Sequence, residues 1–207
     1  MNVNFQYSKT LAIEGSILLL LGPLPTIGWV LAIVGLVLLL RAAKELSYYY
    51  QDESIHKNAW TGLKYYIVAL IALAVGTGIG LGSFATAGLF TGSPFAFTAG
   101  IVSGILAILG GLVVAFVFYL LAALNLRKAY DTLAQKTGEQ SFNTASTLLF
   151  IGAILTVIGI GVILIVISWI FIIYSFSVMK PKEYQSYNGY TQPPTNPSPQ
   201  ATQTQTA

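Results

Sequence analysis

The sequence predicts an all-α protein, a polytopic bundle of apolar helices that crosses a membrane. Three observations predict it. Hydrophobic residues make up 55% of the chain and charged residues only 8%, against roughly 25% charged in a soluble domain, so there are too few charges to clothe a water-facing surface. The apolar residues gather into five long blocks. Hydrocarbon offers no partner to an open strand edge, so such blocks can cross only as helices.

The first block, Leu11 to Leu21, is interrupted only by Glu14 and needs Tyr7 to Thr10 to help it span. Met1 to Thr10 is polar, and no small-residue cleavage site follows the first block, so a cleavable leader is not expected. The second block runs from Ile27 to Leu40. Pro23 and Pro25 between them cannot occupy a helix interior, which predicts a short N-terminal helical hairpin. The third block, Tyr65 to Leu81, has Asp52 or Ser54 as its candidate cap. Gly82 to Pro94, rich in Gly, Ser and Thr, reads as a loop. The fourth block, Phe95 to Leu126, extends toward a left-handed stop at Gly138, and Ser141 is the candidate cap of the next helix.

The fifth block, Leu148 to Met179, is about 48 Å long at ~1.5 Å per residue. Read as one tilted helix it gives five crossings, which we favour. Folded back at Gly159-Ile160-Gly161 it gives six, the alternative. Residues 1–180 form the bundle. The Tyr-, Gln-, Thr- and Pro-rich residues 181–207 hold almost no aliphatic side chains and are expected to be a disordered tail, outside the cell in the five-helix reading.

Charge sets the orientation. Lys9, Arg41, Lys44, Lys57, Lys64, Arg127, Lys128 and Lys136 fall at the N-terminus and in segments 41–64 and 127–139, whereas 22–26 and 82–94 carry no charge. The positive-inside rule then places the N-terminus in the cytoplasm of a multi-pass plasma-membrane protein. Tyr48, Tyr49, Tyr50, Trp60, Tyr65 and Tyr66 stand where an interfacial aromatic belt belongs.

A repeat lies within this pattern. Phe5 to Gly22 aligns without gaps on Phe142 to Gly159, with identities at Phe5/Phe142, Thr10/Thr147, Leu11/Leu148, Gly15/Gly152, Ile17/Ile154, Leu18/Leu155 and Gly22/Gly159. Glu14 falls opposite Ile151, so the shared pattern does not require the acid.

The chain also resembles a mostly archaeal family of multi-pass membrane proteins, labelled domain of unknown function nine-nine-six. The resemblance rests on Ala43-Lys44-Glu45-Leu46 followed by Tyr49 and Asp52-Glu53-Ser54-Ile55. It continues in Thr137-Gly138-Glu139 with Phe142, Ile151-Gly152-Ala153-Ile154-Leu155 and Ile158-Gly159-Ile160-Gly161. It covers roughly residues 9–179. It implies an integral membrane protein and brings no assigned activity and no functional residues. Some relatives carry a Cys-rich zinc-ribbon extension, for which this chain, with no Cys, has no counterpart.

Most chemistries lack their residues. Without Cys there is no disulfide, thiol nucleophile or Cys-ligated metal. The single histidine, His56, has only Asp52 and Glu53 as company, and reads as a surface residue rather than a ligand. Gly76-Thr77-Gly78-Ile79-Gly80 lacks the Lys-Ser/Thr of a phosphate loop and reads as close helix packing. A net charge of +3 gives no nucleic-acid footprint. No enzyme and no cofactor are expected.

One residue stands out: Glu14, the only acid inside an apolar block and thus a candidate ion or proton site. The plainer reading has it snorkel to the headgroups or stay protonated. The favoured function is a membrane scaffold or accessory subunit, whose partners are the bilayer and either another membrane protein or a second copy. The alternative is a small-ion or small-solute transporter or channel using Glu14.

Overall fold

The computed structural model of the chain describes residues 4–22, 24, 26–90 and 94–181. Among the described residues there are six α-helices: α1 (Phe5–Leu20), α2 (Gly28–Tyr50), α3 (Glu53–Phe90), α4 (Pro94–Thr137), α5 (Ser141–Leu155) and α6 (Gly161–Val178). A 3-10 turn, Thr156–Ile158, stands between the last two. They pair as three hairpins, α1/α2, α3/α4 and α5/α6. Contacts of α2 with α3, α4 with α5 and α6 with α1 close the set into a ring. Among the described residues four stretches are long and apolar enough to cross a membrane: Glu53–Ala87, Pro94–Thr137, Ser141–Ile158 and Gly161–Val178.

Several expected boundaries are visible in the caps. The Asp52 side chain accepts from the Ser54 amide at 3.0 Å and starts α3. Gly138, at φ 71°, ends α4 in the left-handed region that glycine enters without strain. Ser141 does not cap α5 but is its first residue; the Glu139 carboxylate instead accepts from the Ser141 amide (3.3 Å) and hydroxyl (2.7 Å).

Three further expectations need correction. The loop expected at 82–94 is mostly helix, since α3 runs on to Phe90. Its hydroxyls do not compete with the helix. Ser83 donates to the Ile79 carbonyl at 2.9 Å and Thr86 to the Gly82 carbonyl at 3.0 Å, satisfying themselves on the turn before. Its small residues also receive α4, because a Cβ on Gly100 would strike Ala87.

The fifth block is two helices, not one, so the favoured five-helix count gives way to six. Gly159 takes φ 83°. Beyond it α6 turns back on α5 so closely that a Cβ on Gly161 would overlap the Gly152 carbonyl. The C-terminal end of α6 therefore returns to the N-terminal end of α1, where the Lys9 ammonium donates to the Met179 carbonyl at 3.2 Å. This overturns the expectation that the chain leaves the bundle on the far side. The tail itself, apart from Pro181, lies outside the described residues.

The two repeat segments occupy matching places. Each is the first helix of a hairpin, and both start from the same end of the bundle. Phe5 and Phe142 are both buried there. Gly15 meets the Gly35 carbonyl across α1/α2, with 2.8 Å available to a Cβ, and Gly152 meets Gly161 across α5/α6.

Candidate functional site

The core and nearly all charged side chains share one end of the molecule. Phe142 of α5, wholly buried, meets Phe176 of α6 with ring centroids 4.9 Å apart and stacks on Tyr130 of α4 at 6.3 Å. Leu46 and Ile55 close this axis from α2 and α3, both fully buried. A cavity of about 20 Å³ remains between Leu39, Leu46, Ile55, Leu126, Tyr130 and Phe176. It has room for about one water. The Tyr130 hydroxyl is buried without a hydrogen-bond partner, and so is Nδ1 of His56.

Around this axis α4 is tied to its neighbours. Asp131 accepts from the Ser146 hydroxyl on α5 and pairs with Arg127 at 3.6 Å. The Arg127 guanidinium lies 5.5 Å from the Phe150 ring. At the outermost turn, Lys136 meets Asp52 at 3.0 Å. Hydrogen bonds from Ser54 and then Lys136 hold the Asp52 carboxyl below the usual carboxylate range, by favouring its ionised form. On α6, Ser168 donates to the Ala145 carbonyl at 2.7 Å.

These contacts fix relative depth. Phe142, Ser146 and Phe150 of α5 meet Tyr130, Asp131 and Arg127 of α4, and Thr156 sits beside Tyr119. The apolar α5/α6 hairpin thus flanks the charged stretch of α4. Beyond Tyr66 and Tyr119, whose rings are 6.5 Å apart, α3 and α4 continue as a hairpin packed on itself. Gly76 and Gly111 meet there, with 2.6 Å available to a Cβ. Residues 67–90 extend about 36 Å at ~1.5 Å per residue, without a charge.

Glu14 is exposed, on the face of α1 turned away from its buried residues Leu11, Ala12, Gly15 and Ser16. It does not line the cavity. His56 lies in the first turn of α3. Among the described residues no three of His, Asp and Glu gather as metal ligands would. Sequence reading missed Tyr130, Ser146 and the depth of Asp131. The one legible signal was the i,i+4 spacing of Arg127 and Asp131; what Tyr130 and Ser146 touch depends on α5 and α6 folding back.

The fold defines a class: an apolar six-helix bundle with helices able to cross a membrane, charged at one end. The chain belongs to the family described as protein of unknown function (DUF996), which matches residues 31–170. It is similar to an uncharacterised protein of Methanocaldococcus jannaschii, at 26% identity over 162 residues, covering 78% of this chain and 86% of that protein. No solved structure matches the chain.

Proposed function

We propose that the protein is an integral membrane scaffold or accessory subunit, with the charged end and N-terminus in the cytoplasm and no catalytic role of its own. The observation that carries this reading is the outer face of α6. Ile163, Ile170 and Tyr174 are exposed there at 63, 53 and 55%, at the depth where α4 carries Arg127, Lys128 and Asp131. Exposed apolar surface is surface that lipid or another subunit covers, and its place level with charged groups favours the subunit. The bundle axis at this end is filled by aromatic side chains rather than lined by polar ones, which favours a structural role over conduction. Purification from native membranes tests the reading. A stoichiometric membrane-protein partner supports it, and a homo-oligomer that conducts ions on reconstitution refutes it.

The transporter alternative depends on Glu14. Because Glu14 faces outward, Glu14→Gln is expected to leave folding and any proton or ion flux in reconstituted vesicles unchanged. A pH-dependent flux present in the wild type and lost in this variant would reverse the preference.

The orientation has its own test, made clean by the absence of Cys. Single cysteines replacing Asn4 and Lys180 should react with an impermeant maleimide from the same side of sealed vesicles, and one replacing Phe95 from the other. Labelling of positions 4 and 180 from opposite sides is incompatible with the six-helix ring.

A further inference from the structure

We propose that the outward face of α3 at its charged end binds the headgroup of an anionic phospholipid. This rests on the membrane reading above. Lys57, Trp60 and Lys64 are spaced three and four residues apart and so share one helix face. It lies opposite Ile55, Ala59 and Gly62, which are buried in the bundle. Both lysines are exposed, and Trp60 is 44% exposed. The Lys64 ammonium lies 5.6 Å from the Trp60 ring. Among the described residues the ion pairs are Arg127–Asp131 and Lys136–Asp52, so neither lysine is neutralised. The acid on the same face is Glu53, one turn before Lys57, with no ion pair to it. Lys44 of α2 lies within electrostatic reach of neighbouring His56 and adds positive charge on that flank.

Depth makes this a headgroup site rather than a solvated charged face. Past Lys64 the same face continues as Ile67, Ile71 and Val75, exposed at 45, 57 and 54%. They form an apolar bed for an acyl chain directly beneath the cations. The backbones of the two lysines are about 10 Å apart along the axis at ~1.5 Å per residue, a span their four-carbon side chains can close, with an indole between them, the side chain suited to the headgroup boundary. A phosphate between the lysines is held by both. The cationic group of a zwitterionic lipid is repelled by both, so the charge pattern selects a net anionic headgroup.

The test uses the full chain in detergent micelles. Phosphatidylglycerol and phosphatidylcholine of identical acyl chains are titrated separately, and bound lipid is counted by native mass spectrometry alongside the thermal midpoint. Wild type is expected to bind phosphatidylglycerol preferentially, with an affinity that falls as salt rises. The Lys57→Gln/Lys64→Gln variant should bind it about 10- to 30-fold more weakly, two lysines contributing roughly 1 kcal/mol each. Lys57→Arg/Lys64→Arg and the distant Lys180→Gln should bind as wild type does. Inorganic phosphate at matched concentration should not raise the midpoint, since it lacks the acyl chain. Equal binding of the two lipids, or undiminished phosphatidylglycerol binding by the Gln variant, overturns the site. A chain that stays monodisperse in buffer without detergent overturns the membrane reading instead, so the two failures are distinguishable.

Discussion

Replacing Phe142 by alanine should lower the stability of the folded protein by about 3–5 kcal/mol, the usual cost of deleting a buried phenylalanine from a core that relaxes only partly. Phe142 is fully buried and holds Tyr130 and Phe176 in ring contact, so three helices lose packing at once. The void would open next to the existing cavity, leaving few atoms positioned to collapse into it. Unfolding of detergent-solubilised protein by increasing SDS, followed by helical circular dichroism, measures the change. A loss below about 1 kcal/mol, less than any buried phenylalanine should cost, would show that this aromatic cluster does not organise the ring. Phe150→Ala is the comparison, since Phe150 is only half-buried, and it should cost clearly less.

Gly161→Val should be nearly as damaging, by about 3 kcal/mol or more, for the opposite reason: overpacking. A Cβ at this position meets the Gly152 carbonyl and backbone of the Thr156 turn, neither of which can move aside as a flexible side chain does. The expected result is separation of α5 from α6, with loss of the α6 end from its place beside Lys9. Labelling of a cysteine at position 180 would then lose its fixed side. Gly78→Ala and Gly110→Ala are internal controls, because nothing lies within 4 Å of a Cβ at either position. Each should be neutral or stabilising by up to about 1 kcal/mol, as replacing an unconstrained helical glycine with alanine allows. If Gly161→Val is as benign as these controls, the hairpin at Gly159 is not the native fold.

The three glycine positions also show why the sequence was hard to read at its most important point. Gly76, Gly78 and Gly161 look alike in the chain, each beside an aliphatic residue within an apolar run. One receives α4, one faces outward and one lets α6 return against α5. A glycine says that a side chain is absent, and only the neighbour's position says why. Ser83 and Thr86 misled in a similar way. Their hydroxyls signalled a loop, yet a helix interior absorbs them by bonding to the preceding turn. Glu14 was readable as an acid among aliphatics, but whether it faced the bundle or its surroundings was not, because the short α1 leaves its facing set by α2 and α6.

The sequence by itself determined the class: all-helical, apolar enough to cross a membrane, with charge confined to one end. It also determined the N-terminal hairpin of α1 and α2, a start for α3 at Asp52 or Ser54, and the stop at Gly138. These follow from composition and local chemistry, which act over a few residues. Only the tertiary structure decided that the last apolar block is two helices, that the first and last helices meet at Lys9 and Met179, and that α5 and α6 flank the charged part of α4. The physical reason is that a run of Ile, Val and Gly is equally content as one long helix or as two. The choice rests on close contact between Gly152 and Gly161 and on the aromatic cluster of Phe142, Phe176 and Tyr130, residues brought together from three separate helices.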